Sequence, residues 1–263
     1  STFLIYSVVF GILVHIGGLL MTFPPDGWKP AGWNPPPAQV QQDDAHEFSP
    51  HSMLTQPQFY VLWLSFVFLA LAGLMLIGIN KLYGRDALMD SGAFTDLAAA
   101  GAAASTAYAV AFALSNGLGR IGWGFIADRI GWRKSMTIMA VTQSILVISF
   151  FYFGGSLVAL YVFLALTGFN FGGNFALFPL ATANWFGVKN LGINYGLMFS
   201  AYGIGGIVGP IMAGTFKDAG ADQGLSVWLA PFMIAGILCL VAGVLVATSK
   251  EPSLDAVAKP VLA

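Results

Sequence analysis

Gly124-Phe125-Ile126-Ala127-Asp128-Arg129-Ile130-Gly131-Trp132-Arg133-Lys134 sets three basic residues, one acid and two glycines between two long apolar stretches, 97–127 and 135–154. Each flanking stretch has the length of a membrane-spanning helix, which takes about 20 mostly apolar residues. The segment therefore reads as a tight turn at a membrane surface. Gly131 supplies the backbone freedom the turn requires, and Arg129, Arg133 and Lys134 hold it in the aqueous phase. Asp128 is placed to charge-pair across the helix ends, and Gly124 is expected to admit a neighbouring helix.

Outward from this turn the chain keeps the same character. Of its residues, 57% are hydrophobic and only 9% charged, against about 25% charged in a soluble globule. The composition describes an all-α integral membrane protein and excludes a soluble enzyme or a nucleic-acid binder. Seven spans are expected, over 1–23, 58–80, 97–127, 135–154, 157–186, 191–216 and 226–248. Gly154-Gly155-Ser156 separates the fourth from the fifth. Segment 24–57, with Pro24-Pro25, Pro35-Pro36-Pro37 and a polar Gln-Gln-Asp-Asp run, reads as a linker, and Phe48 to Pro57 as a short surface helix. Residues 250–263 form a tail. The single cysteine, Cys239, excludes an intrachain disulfide, and no cofactor or metal ligand set is evident. The first stretch lacks the basic leader and cleavage site of a signal peptide, so it is read as a span whose upstream sequence is missing.

Basic residues assign the sides. The turns after spans one, three and five, with the tail, hold Lys29, Arg129, Arg133, Lys134, Lys189, Lys250 and Lys259, seven against Lys81, Arg85 and Lys217 opposite. The first set is expected to be cytoplasmic, with the linker and C-terminus inside.

Arg120 is the one charge inside the third span. At ~1.5 Å rise per residue it lies ~12 Å from Asp128 and ~36 Å from Asp96, within hydrocarbon. An arginine at that depth costs at least ~2.5 kcal/mol on insertion scales, so it faces a bundle interior or a watery cavity and marks a substrate path. Its natural partner is an anion. Asn116, four residues earlier, shares its face, and an amide beside a guanidinium suits a carboxylate.

The Gly124–Lys134 pattern resembles the signature loop of the major facilitator superfamily, which follows the second helix of each six-helix half. The resemblance makes the seven spans helices six to twelve of that fold: one extra helix (1–23), the inter-bundle linker (24–57), a six-helix bundle (58–249) and a cytoplasmic tail. It implies an N-terminal six-helix half, absent here, that transport requires, because such substrate sites lie between two halves.

Within that superfamily, Asn116-Gly117-Leu118-Gly119-Arg120 looks like helix eight of the oxalate/formate antiporter and monocarboxylate transporter families, whose buried arginine binds the substrate carboxylate. Pro24-Pro25-Asp26-Gly27-Trp28 is similar to the linker entry of the oxalate/formate group. The same resemblance places Phe171, Phe175, Phe199 and Tyr202 at aromatic cavity positions of helices ten and eleven. At Tyr202 the chain departs from those antiporters, which carry a lysine there for a dianion. One cation and one phenol favour a monoanion such as lactate, pyruvate, acetate or formate. The predicted function is alternating-access transport of small monocarboxylates across a bacterial inner membrane.

Asp96 is a candidate for proton coupling by analogy with monocarboxylate transporters, although ~100° per residue sets it off the Arg120 face. His46 and His51 read as loop residues, and His15 as a hydrogen-bonded packing residue. Gly205-x-x-x-Gly209, Gly192-x-x-x-Gly196 and the alanines between Ala98 and Ala113 are expected to admit close helix approach, and Pro179 and Pro210 to bend their helices. An oxalate/formate-type antiporter, a drug or metabolite exporter and a non-transporting receptor are the competing readings. A retinal protein would need a lysine in the last span, and Gln223 to Ser249 contains none. No HExxH, paired intramembrane aspartates or Gly-x-Ser-x-Gly points to an enzyme.

Overall fold

A computed structural model of the protein describes residues 2–22, 25, 28, 31, 32 and 47–252. Among the described residues, seven helices are long and apolar enough to cross a membrane. Helix α1 (Thr2–Leu20) belongs to a unit of its own, residues 1–41; within it His15 Nδ1 lies 2.9 Å from the Gly11 carbonyl. The second unit holds a short helix α2 (Pro50–Leu54) and then α3 (Pro57–Asp90), α4 (Leu97–Ile130), α5 (Trp132–Phe153), α6 (Leu157–Phe186), α7 (Leu191–Ala219) and α8 (Leu229–Thr248). Most of the expected linker, including His46, and residues 253–263 of the tail lie outside the described residues. His51, expected in a loop, is exposed on α2.

Elements start where the sequence supplies caps. The Ser156 hydroxyl accepts from the Ala159 amide at 3.2 Å and starts α6 just after the Gly154-Gly155 break. Gly131, at φ 86°, is all that separates α4 from α5, a left-handed conformation that a side chain would strain. Helix α3 runs ten residues past its expected end at residue 80, as far as Asp90. Its polar last turns are held by Asp86, whose carboxylate accepts from Arg85 (2.8 Å), Lys217 of α7 (2.9 Å) and the Trp228 indole (3.0 Å). Three segments are thereby tied together at the membrane face away from the signature turn.

Lipid offers no hydrophobic drive between helices, so small residues and close packing do that work. Helix α3 packs along α7 and α8, α4 along α6, and α5 along α8 and α6. On α7, Gly205 and Gly209 seat directly against the backbone of α3 at Leu71, as expected. Gly192, Gly196 and Gly124 have nothing within 4 Å of a Cβ position, so the expectation of close approach there is corrected. They lie on faces turned from the neighbouring helices. On α4 the close seats are Gly119 and Gly122, both against Phe169 of α6.

The last residues of the linker form a clip that no local signal announces. Glu47 accepts from the amides of Val188 (3.1 Å) and Lys189 (2.9 Å), in the turn between α6 and α7. The Phe48 carbonyl accepts from the side chains of Asn190 and Asn194, each at 3.1 Å, and the Phe48 amide donates to the Phe186 carbonyl at 3.0 Å. The Phe48 ring, 0% exposed, meets Phe186 edge-on at 5.5 Å. Phe48→Ala is expected to cost about 3 kcal/mol, the low end for removing a buried phenylalanine. A lowered thermal midpoint in detergent, with early proteolysis at the α6–α7 turn, checks it.

Candidate functional site

Arg120 emerges from α4 on an exposed face, with its guanidinium carbon 4.4 Å from the centre of the Phe175 ring on α6. Phe175 stands 5.5 Å from Tyr202 and 6.3 Å from Phe199, and those two α7 rings stack at 5.1 Å and 14°. Three helices thus bring one cation and three aromatic rings to one place. Cation–π contact of this kind contributes about 0.5–2 kcal/mol depending on desolvation. Among the described residues the ion pairs within 4 Å all belong to Asp86, so Arg120 has no acid partner there. No group of three His, Cys, Asp or Glu side chains comes together to hold a metal ion among those residues.

The other predicted site residues divide. Phe171 is 2% exposed and sits behind the cluster, 5.7 Å from Phe175 and 6.3 Å from Tyr202, with its ring filling the space that Gly73 of α3 leaves open. It backs the wall rather than forming its surface. Asn116 turns its Oδ1 into the α4–α6 seam, where Gly172 leaves room for it. That atom has no hydrogen-bond partner, so the amide does not join Arg120 directly. Asp96 is the N-cap of α4, its Oδ2 accepting from the Ala99 amide at 2.6 Å. That role accounts for the carboxylate without any contact to Arg120.

At the signature turn Asp128, Arg129 and Lys134 are exposed, and Asp128 makes no ion pair among the described residues. The expected cross-helix pairing is therefore not seen. The nearby cations are engaged elsewhere: Arg129 lies 3.5 Å over Phe125, and Arg133 lies between Trp132 (5.6 Å) and Trp185 (5.5 Å).

Two residues near the cluster were not predicted. The Trp63 indole of α3 donates to the Ser200 hydroxyl at 3.0 Å, beside Phe199. Tyr108 stands on a single π-helical turn, Tyr108–Phe112, within α4. Neither residue carries a spacing signal that marks it in the sequence.

A family model described as Major Facilitator Superfamily matches residues 87–261. The chain belongs to the major facilitator superfamily. Among curated members, it is 28% identical to the oxalate:formate antiporter of Oxalobacter formigenes over 248 residues, covering 92% of this chain and 52% of that protein. It is 25% identical over 210 residues to an uncharacterized MFS-type transporter, YhjX, of Escherichia coli, covering 79% of this chain and 47% of that one. Apicoplast pyruvate carrier 1 of Toxoplasma gondii is 36% identical over 109 residues, or 41% of this chain and 18% of the relative. The chain spans about half the length of the first two relatives. As a member of this superfamily it is an integral membrane protein with an all-helical fold.

Proposed function

We propose that this chain is the second half of a secondary transporter of small organic anions, with Arg120 binding the substrate carboxylate. The supporting observation is an arginine at membrane depth that has aromatic neighbours and no acid partner among the described residues. Hydrocarbon penalises such a cation, and a bound carboxylate relieves that penalty through two parallel charge-assisted hydrogen bonds. Occupancy is thereby linked to reorientation of the bundle. The opposite wall belongs to an N-terminal six-helix half, as in other carriers whose sites lie between repeats. The excess of basic residues on the signature-turn side supports a cytoplasmic linker and tail in a bacterial inner membrane.

One cation and the Tyr202 phenol favour monoanions, of the lactate, pyruvate, formate or acetate type. The relative named for oxalate and formate keeps a dianion carrier as the second reading, whereas the one named for pyruvate fits the first. Counterflow of labelled lactate, formate and oxalate in vesicles carrying the complete two-bundle protein separates them. Lactate or formate exchange that oxalate does not compete away is expected. Oxalate exchange untouched by monocarboxylates rejects the monoanion assignment, and binding without any exchange supports a receptor instead.

A further inference from the structure

The π-turn at Tyr108–Phe112 changes which residues share a face with Arg120. Tyr108 and Arg120 are twelve residues apart, so a regular α-helix would set them ~120° apart around its axis. The Ala113 amide bonds the Tyr108 carbonyl, five residues back, and such a π-turn accommodates one extra residue. That residue takes back ~100° and leaves Tyr108 only ~20° from the Arg120 direction. Asp96, on the far side of the same turn, still ends ~140° away.

The rings around Tyr108 carry it into the site. It stacks on Phe112 at 5.2 Å and 24°, Phe112 meets Phe171 at 5.8 Å, and Phe171 meets Tyr202 at 6.3 Å. Among the described residues neither the Tyr108 nor the Tyr202 hydroxyl has a hydrogen-bond partner within the protein. Both are half-buried, and a phenol in an apolar setting ordinarily finds a partner for its O–H. Tyr202 is linked through rings to both residues, to Arg120 by Phe175 and to Tyr108 by Phe171 and Phe112.

About eleven helical rises, or ~17 Å of backbone, separate Tyr108 from Arg120. A small acid does not span that distance. We propose that Tyr108 is a further substrate-contacting residue, its hydroxyl donating to the anion when the anion sits on the side of Tyr202 away from the signature turn. The π-turn builds this second station: Tyr108 and Tyr202 hold the anion when the cleft opens to the far face, and Arg120 with Tyr202 holds it deeper in. This inference rests on the carboxylate reading above.

The test measures exchange in vesicles of known sidedness carrying the complete protein, with Tyr108→Phe, Arg120→Ala and wild type, using lactate, formate and oxalate. Tyr108→Phe keeps the ring stack and removes only the hydroxyl. The half-saturating concentration on the far face is expected to rise about 10-fold, the loss for one hydrogen bond to a charged group. On the signature-turn face it should change less than about 2-fold, with the maximal rate kept. An unaltered value on the far face, or an equal rise on both faces, overturns the second station. Full exchange by Arg120→Ala overturns the carboxylate reading instead, and exchange of none of the three acids by wild type overturns both.

Discussion

Arg120→Ala is expected to lower carboxylate exchange by at least 100-fold while leaving a folded, membrane-inserted protein. Fold and function separate at this residue because, among the described residues, its side chain makes no ion pair or hydrogen bond to another helix. It meets the Phe175 ring of α6 at 4.4 Å, a contact that contributes only about 1 kcal/mol. Removing the cation even lifts an insertion penalty of ~2.5 kcal/mol. The loss to a bound carboxylate is larger. A hydrogen bond to a charged group contributes about 1.5–3 kcal/mol, and a guanidinium makes two at once, so 100-fold, or about 2.7 kcal/mol, is a low estimate. Arg120→Lys keeps the charge but loses the fork, and should recover only part of the activity. Exchange by both variants, read beside their thermal midpoints in detergent, checks this. Normal uptake by Arg120→Ala would remove the basis for the whole transport scheme.

The features that announced themselves in the sequence were those written in short-range chemistry. Seven apolar stretches, the one-residue turn at Gly131 and the break at Gly154-Gly155 all follow from local composition and backbone freedom, and the helices lie where expected to within a few residues at most ends. The exceptions required a partner distant in the chain. Helix α3 extends to Asp90 because Asp86 finds Lys217 and Trp228 on other segments. Glu47 and Phe48 are ordered by residues 188–194, more than 140 positions away. Which glycines are close seats depends on how each helix is rotated, so Gly205 and Gly209 behaved as expected while Gly124, Gly192 and Gly196 did not.

Arg120, Phe175, Phe199 and Tyr202 could be grouped from the sequence because a charge within an apolar span and aromatic residues at helical spacing survive any small rotation, and the structure brings these four side chains together. Four-residue spacing and the helix-eight resemblance put Asn116 beside Arg120, but its close contact with Gly172 sets its Oδ1 in the α4–α6 seam instead. Tyr108 was hidden for the opposite reason. Tyr-Ala-Val-Ala-Phe contains no proline or glycine, so no breaker residue marks the π-turn, whose Phe112 backbone lies against Gly168 of α6.

Tyr202→Lys should convert the site from one that prefers a monoanion to one that takes a dianion. The phenol stands 5.5 Å from Phe175, the ring that carries the Arg120 guanidinium, so an ammonium at this position would face the second charge of a substrate held by Arg120. At ~6 Å and an effective dielectric near 20, one added charge pair contributes about 3 kcal/mol, or about 100-fold in affinity. Against that stands the mutual repulsion of two cations in the empty site, of similar size, which only a dianion neutralises in full. Oxalate should therefore gain about 100-fold relative to lactate, whereas lactate itself binds a site left with one unpaired charge and should weaken. The variant also loses the Phe199 stack at 5.1 Å, about 0.5–1.5 kcal/mol, so its thermal midpoint in detergent should fall and then recover on adding oxalate but not lactate, because a ligand stabilises only the state it binds. Competition of oxalate and lactate in exchange, together with that ligand-dependent shift, measures both halves of the expectation. A variant that still prefers lactate while folded would place Tyr202 outside the charge-reading part of the cleft.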